Sequence, residues 1–236
     1  MSKRFKTGSC AYCDARSETA DHVFARGFFP LEARDDLPQV GACGRCNNEK
    51  SQLEHYLLSV LPFGGNHPGS PALLSEFVPR RLARNRRLHR ELAQGQAEVP
   101  IGPVGEAEPP VWAIPFDSHP YFAYFRFVAR GLAAFHWDCR IPPDYVVSTG
   151  MAVGEHERIL RALFVLNSSA YARGNLGNGL VLYEGQQAID NPCLTIWRFQ
   201  LYGPMTFSSP EEFPGAIRSD IWAVTAKEPM SGLHAE

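Results

Sequence analysis

The spacing of apolar residues predicts three elements in the N-terminal quarter of the chain. Residues 20–29 begin as a short strand, and residues 37–42 can pair with it across an intervening turn. From Cys46 onward apolar residues recur at helical spacing, and Pro62 followed by Gly64-Gly65 stops the run. The pattern therefore predicts a strand, a second strand and a helix in residues 1–62.

The remaining sequence divides into a connecting region and a second body. Residues 63–110 contain turn residues, an arginine-rich helical stretch and an exposed connection at 95–110 that is rich in Gly, Pro and Glu. In residues 111–236 the apolar pattern predicts helices at 118–135 and 155–166, with Ser118 as the cap of the first. It also predicts strands at 180–183 and 194–202. We therefore predict an α+β fold, in which an N-terminal ββα module precedes a larger α+β domain.

Composition limits the class of protein. The chain has 236 residues, of which 44% are hydrophobic, as expected for a globular protein with a sizeable core. No run of about 18 apolar residues is present, so we expect no membrane-spanning helix. No apolar signal segment follows the basic N-terminus, and the expected location is the cytoplasm.

Charge is distributed unevenly along the chain. The net charge of −2 argues against a generic nucleic-acid coat. Residues 1–90 nevertheless carry 14 Lys and Arg against 9 Asp and Glu, whereas the remainder carries 9 against 16. A basic N-terminal part on an acidic body favours nucleic-acid contacts on one side of the molecule.

Four of the six cysteines form two pairs with the spacing of metal ligands. They are Cys10, Cys13, Cys43 and Cys46, with 29 residues between the pairs. Each pair presents two thiolates to one tetrahedral ion, so we predict a closed, structural Zn²⁺ site. The alternative is two unrelated pairs of buried cysteines. Cys139 and Cys193 lack such partners and are predicted to be small buried hydrophobes.

An Asp21-His22 step lies between the cysteine pairs, on the first predicted strand. Neighbouring strand residues point to opposite faces, so one side chain can hold a metal while the other faces a water molecule. A cation that offsets phosphate charge and a neutral imidazole that removes a proton are the parts that phosphodiester hydrolysis needs. Alone, the dipeptide fits a surface aspartate beside a half-buried histidine, but the cysteine frame favours catalysis.

The predicted helix carries further candidates. The amide oxygen of Asn47 is a hard ligand that suits Mg²⁺ or Mn²⁺, although Asn47 or Asn48 can instead cap the helix. Glu54 lies two turns further on and is predicted to support the site or the fold. His55 is a weaker candidate metal ligand, with an ordinary solvated residue as the alternative. Lys50 is predicted either to contact a phosphate or to lie exposed.

Together these residues resemble the HNH endonuclease family, the zinc-bound ββα-metal finger nucleases. The match covers about residues 10–60 and consists of Cys-x-x-Cys, Asp-His-Val, and Cys-x-x-Cys-Asn-Asn-x-Lys-Ser. The resemblance implies that His22 is the general base and that Asp21 and Asn47 hold a catalytic Mg²⁺ or Mn²⁺. It also implies structural zinc at the four cysteines.

One position departs from the family pattern. The family places an Asn-Leu step about five residues before the second cysteine pair. Here Pro38 occupies that position, and Asp36-Leu37 begins seven residues before Cys43. Either Asp36 braces the His22 loop in place of the asparagine, or the brace is absent.

An arginine run follows the module. It comprises Arg80, Arg81, Arg84, Arg86, Arg87 and Arg90. These side chains are predicted to contact DNA phosphates without reading sequence, or to form a solvated helix face. In the second body, Arg126, Arg130 and His136 are predicted to be core and surface residues rather than a second active site.

The sequence thus predicts a metal-dependent DNA endonuclease, with DNA as its partner and a homodimer as one option. Two alternatives stay open. The first is a zinc ribbon that binds nucleic acid or protein without catalysis, and the second is a degenerate HNH protein that serves as a structural subunit.

Overall fold

The N-terminal part is a two-stranded antiparallel sheet followed by a long helix. The computed structural model describes residues 5, 8–99, 111–152, 154–166, 169–203 and 220–233. Strand β1 (Thr19–His22) pairs with β2 (Gln39–Ala42), and helix α1 (Gly44–Gly64) begins two residues later. The predicted order of elements is confirmed. β1 is the short strand predicted at the start of residues 20–29, and the chain then turns into 3₁₀ helices at Arg26–Phe28 and Leu31–Ala33.

Helix α1 contains Pro62 and ends at Gly64, where the Pro62 and Gly64-Gly65 signal predicts its end. Proline has no N–H, so the carbonyl of Leu58 lacks its usual partner one turn later. Arg81 Nη1 donates to this carbonyl at 3.0 Å, and Arg81 Nη2 donates to the Gly27 carbonyl at 3.1 Å. The arginine replaces the missing helical hydrogen bond and joins α1 to the turn after β1.

The arginine run lies on two short helices. Helices α2 (Ser70–Glu76), α3 (Val78–Arg84) and α4 (Arg86–Gln94) follow α1. Asn85 separates the last two, because its Oδ1 accepts from the N–H of Leu88 at 3.1 Å and caps α4. The predicted connection at 95–110 lies mostly outside the described residues, but its beginning, β3 (Ala97–Val99), pairs with β4 (Val111–Ala113).

Helix α5 (Ser118–Trp137) forms the centre of the second body. Asp117 caps it by accepting from His119 N, so the prediction of Ser118 as the cap is wrong by one residue. Arg130 donates to the carbonyls of Ile141 and Tyr145 at 2.7 and 2.8 Å, which gives it a structural role as predicted.

Five antiparallel strands complete the second body. The strands are β5 (Val146–Met151), β6 (Ala170–Leu176), β7 (Val181–Gln187), β8 (Thr195–Leu201) and β9 (Ile221–Ala226). Their order in the sheet is β5-β9-β8-β7-β6. The two predicted strands correspond to β7 and β8, and the three others were not predicted. Together with helix α6 (Gly154–Leu166), which matches its prediction, they confirm an α+β fold.

The sheet lies between two apolar layers. On β9, Ile221 and Ala223 belong to the main hydrophobic cluster, whereas Trp222 and Val224 belong to a smaller cluster with Leu160 of α6. Because alternate residues of a strand face opposite sides, α6 covers the sheet face turned away from the main cluster. Among the described residues, no helix is long and apolar enough to span a membrane.

The main hydrophobic cluster extends from the N-terminal module into the second body. Val23 and Phe24 lie in the same cluster as Tyr124 and Trp197. The Tyr124 hydroxyl donates to the Val23 carbonyl at 3.3 Å. A Cβ at Gly131 of α5 would lie only 3.1 Å from the Val23 side chain, so module and helix approach closely there. The module predicted at residues 1–62 therefore shares its core with the rest of the described chain.

Candidate metal centre and active site

The two cysteine pairs come together at the start of α1. The four thiol sulfurs all lie within 4.8 Å of one another. Cys13 Sγ is 3.7 Å from Cys43 Sγ and 3.5 Å from Cys46 Sγ. In a tetrahedral site with Zn–S bonds of about 2.3 Å, neighbouring sulfurs lie about 3.8 Å apart. The cluster can therefore hold a metal ion such as zinc.

Backbone N–H groups orient two of these sulfurs. Cys43 is the N-cap of α1, and its Sγ accepts from Cys46 N at 3.4 Å. Cys10 Sγ accepts from Tyr12 N at the same distance of 3.4 Å. Such contacts stabilise thiolates, which are the form that binds metal. The helix start thus provides a ligand and a hydrogen bond to that ligand at once.

The cysteines of the cluster differ in how readily they lose their protons. Burial raises the pKa of Cys13, but hydrogen bonds from the Ala15 backbone and the other thiols outweigh burial and bring the pKa to about 7. Burial also raises the pKa of Cys10 and of Cys46. Metal binding must therefore displace protons, so the affinity falls as the pH falls.

Asp21 lies in a buried polar network beneath β1. The Tyr12 hydroxyl donates to Asp21 Oδ2 at 2.5 Å, and Lys50 Nζ lies 3.1 Å from the same oxygen. Lys50 also forms an ion pair with Glu54 at 2.5 Å, one helical turn along α1. Oδ1 of Asp21 has only a longer contact, 3.4 Å from Lys50 Nζ. This oxygen is the one that retains coordinating capacity.

Lys50 lies inside the protein rather than at its surface. Its side chain is 1% exposed, against 10% for Asp21 and 15% for Glu54. The prediction that Lys50 contacts a phosphate is therefore wrong, because the ammonium group is enclosed by carboxylates. Glu54 has the supporting role predicted for it, and burial raises its pKa despite the neighbouring lysine.

His22 is half-buried at the end of β1. Its backbone carbonyl accepts from Lys50 Nζ at 2.7 Å, which fixes the end of the strand to α1. Desolvation, followed by the nearby charge of Arg26, lowers the pKa of the imidazole. His22 is therefore neutral near pH 7, the form that a general base requires.

Gln39, directly across the sheet from His22, contacts the imidazole. The Gln39 amide nitrogen lies 2.8 Å from His22 Nε2. Asp36, predicted to brace this loop, is exposed and has φ 56°, and no described residue accepts or donates a hydrogen bond to its side chain. The brace predicted for Asp36 is therefore supplied by Gln39 on β2.

Asn47 is available for a ligand. It lies in the first turn of α1, where its N–H donates to the Cys43 carbonyl at 3.0 Å. Its half-exposed side chain forms no hydrogen bond to any described residue. Because Cys43 caps the helix, the alternative that Asn47 or Asn48 is the cap is wrong.

Other predicted ligands do not gather around a second metal. Within the described ranges, the cysteine cluster is the one group of three or more His, Cys, Asp or Glu ligand atoms. His55 is exposed and belongs to no such group, and neither Asp21 nor His22 does. A cation site beside His22 would therefore have at most two His, Cys, Asp or Glu ligands among the described residues, together with the Asn47 amide.

Five of the six arginines in the run are exposed. They are Arg80, Arg84, Arg86, Arg87 and Arg90. Arg87 forms a surface ion pair with Glu91 at 2.8 Å. Arg81 is the exception, since its guanidinium is bound to the Leu58 and Gly27 carbonyls. These carbonyls engage two of its five N–H donors, so a phosphate contact by Arg81 stays a prediction.

Sequence patterns did not reveal Tyr12 and Gln39 as site residues. Tyr12 lies between Cys10 and Cys13, and the spacing of these cysteines says nothing about the residue between them. Gln39 follows from the strand register, because a residue opposite the end of β1 faces His22. Knowledge of the residue-by-residue pairing of β1 and β2 would have identified Gln39 as a site residue.

Comparisons with known proteins add no relative. No protein-family profile matches the chain, and searches of curated proteins and of solved structures find no significant match. The resemblance to HNH nucleases therefore depends on the motif residues and on their arrangement alone.

Proposed function

We propose that this protein is a metal-dependent endonuclease that hydrolyses phosphodiester bonds in DNA, with His22 as the general base. The observation that carries the proposal is a neutral, half-exposed imidazole at the end of a strand whose partner strand leads directly into the cysteine cluster. Residues that must face one substrate atom need such a rigid frame.

His22 would remove a proton from the attacking water. In the present orientation the Gln39 amide nitrogen donates to Nε2 and so occupies its lone pair. With the amide rotated, Gln39 Oε1 accepts from Nε2–H, and the Nδ1 lone pair is left for the water. In this arrangement Gln39 sets the tautomer of His22 and holds the ring.

Asn47 and Asp21 are the residues proposed to hold the catalytic cation. Asn47 contributes an amide oxygen without a competing partner, and Asp21 contributes Oδ1. When bound, Mg²⁺ or Mn²⁺ would stabilise charge on the scissile phosphate and the leaving oxygen. Because Lys50 competes for the Asp21 carboxylate, we expect weak cation affinity.

The exposed arginines of α3 and α4 are proposed to contact the DNA backbone. Arg80, Arg84, Arg86 and Arg87 present charge to solvent without buried partners. Such contacts add affinity that falls with salt and does not depend on base sequence.

A second candidate function is a zinc module that binds nucleic acid or protein without cleaving it. The buried contacts of Asp21 favour it, since Tyr12 and Lys50 already satisfy most of the carboxylate. In this case Lys50 and Asp21 stabilise the fold, and His22 is a half-buried strand residue.

A plasmid-nicking assay with Mg²⁺ or Mn²⁺ separates the two functions. We expect cleavage by the wild type and none by His22→Ala, with zinc content and thermal stability unchanged. The control is His156→Ala, an exposed histidine on α6, which should retain full activity. Full activity in His22→Ala, or DNA binding without cleavage under every metal, would overturn the nuclease proposal.

A further inference from the structure

Cys139 and Cys193 lie against each other at the end of α5. Their sulfurs are 3.8 Å apart, and both residues are partly exposed. The prediction that each is a small buried hydrophobe holds only in part, because both pack against the main hydrophobic cluster but are half-buried. The residues are separated by 54 positions in sequence, so the fold brings the two thiols together.

The backbone on both sides of this pair is fixed. Cys139 follows the left-handed Asp138 that ends α5, and its N–H donates to the Ala133 carbonyl at 3.2 Å. Cys193 N donates to Asn191 Oδ1 at 3.1 Å, and its carbonyl accepts from Thr225 Oγ1 at 2.6 Å. These hydrogen bonds hold the backbone of both residues in the position in which the two thiols face each other.

This pair differs from the four-cysteine cluster in its ligands. No third His, Cys, Asp or Glu ligand joins it among the described residues, so it lacks the donor set of a tetrahedral zinc site. Two partly exposed thiols without further ligands suit covalent sulfur chemistry instead. A disulfide needs a sulfur–sulfur distance of about 2.05 Å, which requires a modest approach from the observed contact.

We propose that Cys139 and Cys193 form a reversible disulfide by exchange with a low-molecular-weight disulfide. The Cys193 thiolate attacks one sulfur of the small disulfide, forms a mixed disulfide and releases one small thiolate. Cys139 then loses its proton and attacks the Cys193 sulfur, which expels the second small thiolate. The two cysteines are oxidised, and the small disulfide is reduced to two thiols.

The order of attack follows from the surroundings of Cys139. Burial, followed by the neighbouring Cys193, raises the pKa of Cys139 to about 12. Its Sγ also donates to the Pro192 carbonyl at 3.3 Å. Cys139 therefore suits the second, intramolecular step, where proximity offsets a scarcity of thiolate.

The bond would join the end of α5 to the connection between β7 and β8. Cross-linking positions that are far apart in sequence restricts the unfolded chain more than the folded one. We expect a higher Tm for the oxidised protein than for the reduced protein. The proposed nuclease site is not involved, so this inference is independent of the nuclease assay.

The test uses the full chain loaded with zinc and treated with oxidised glutathione. Remaining thiols are blocked with N-ethylmaleimide, and the protein is digested without reduction for peptide mass analysis. We expect one intramolecular link between Cys139 and Cys193, unchanged zinc content and reversal by dithiothreitol. Cys139→Ser should retain a glutathione adduct on Cys193, whereas Cys193→Ser should form little adduct on Cys139.

Several results would overturn the proposal. Separate glutathione adducts on both wild-type cysteines, a link between two chains, or a link to a cluster cysteine would each do so. An absence of any reaction at Cys139 and Cys193 would do the same. If either serine variant fails to fold, as judged by zinc content and tryptophan fluorescence, the wild-type peptide map alone decides.

Discussion

At the scale of single residues, the contact between His22 and Gln39 determines which imidazole nitrogen can act as a base. With the amide rotated so that Oε1 accepts from Nε2–H, Nδ1 is the nitrogen whose lone pair is left for a base. Desolvation and Arg26 favour the neutral ring. The chemistry proposed for this site therefore depends on a residue of the opposite strand.

Gln39→Glu should move the pH dependence of cleavage. In the wild type the lowered pKa of His22 predicts that kcat/KM falls only below a pH of about 6.5. A carboxylate at position 39 stabilises the protonated ring, raises its pKa and moves this fall in activity to higher pH. Cleavage rates measured from acid to neutral pH test the shift.

The matched control is Gln52→Glu, which adds the same charge at an exposed position of α1. Equal pH dependence in the two variants would show that His22 does not set the acid limb. Nitrogen chemical shifts of the His22 ring report its tautomer directly, even in a protein without cleavage activity.

Lys50→Met should destabilise the protein strongly. The substitution leaves Asp21 and Glu54 buried without their shared cation, and breaking a buried pair typically costs about 3–5 kcal/mol. The free energy of unfolding in urea measures the loss. Lys227→Met, at an exposed lysine, should change it by less than about 0.5 kcal/mol. Similar losses in both variants would contradict the structural role of Lys50.

The residue types of the site could be predicted from sequence, but their surroundings could not. Motif spacing identified the four cysteines that meet in one cluster. It did not show that Lys50 points inward, because a lysine on a helix is ordinarily solvated and only the position of Asp21 and Glu54 draws it inside. Three-dimensional placement of charges is information that spacing does not contain.

At the scale of helices and strands, one arginine of the run differs from its neighbours. Arg81 supplies the hydrogen bond that Pro62 removes from α1, whereas Arg80 points to solvent. Adjacent residues of identical chemistry thus have separate roles, one in helix packing and one in surface charge.

Substitution of these two arginines should separate stability from DNA affinity. Arg81→Ala leaves the Leu58 and Gly27 carbonyls without their donor and should cost about 1–3 kcal/mol of stability. Arg80→Ala should leave stability unchanged but reduce the slope of log affinity against log salt by about 1. Urea unfolding and DNA-binding titrations across salt concentrations measure both. A loss of stability in Arg80→Ala alone would contradict this assignment.

Helices were predicted more completely than strands, for a physical reason. α5 and α6 show an apolar face at helical spacing, so their sequences identify them. β9 lies inside the sheet and is buried at five consecutive positions, so its residues do not alternate. β6 is an edge strand whose sequence includes Gly174 and Asn175, residues typical of turns.

For the molecule as a whole, zinc bound at the cysteine cluster of the N-terminal module should also stabilise the second body. All four tryptophans lie outside the N-terminal module, at Trp112, Trp137, Trp197 and Trp222. Because the hydrophobic cluster is continuous from Cys10 to Ala223, we expect the module and the second body to unfold together.

Removal of zinc should therefore lower the Tm reported by tryptophan fluorescence. The cysteine cluster holds β1, β2 and α1 in place, and without it their contribution to the shared core is lost. Re-addition of Zn²⁺ should restore the transition, whereas Mg²⁺ should not. A tryptophan transition that does not respond to chelation would show that the two parts unfold separately.

The close approach of Val23 to Gly131 also limits how this module can be reused. The turn after β1 packs against α5 at two points. Gly131 leaves room for the Val23 side chain, and the Tyr124 hydroxyl, two turns earlier, donates to the Val23 carbonyl. Grafting residues 1–62 onto an unrelated scaffold would expose that apolar turn and leave its carbonyls unmatched. A design that reuses the His22 site would therefore also need the face of α5 that holds Tyr124 and Gly131. The smallest unit that can be transferred to another protein is thus discontinuous in sequence.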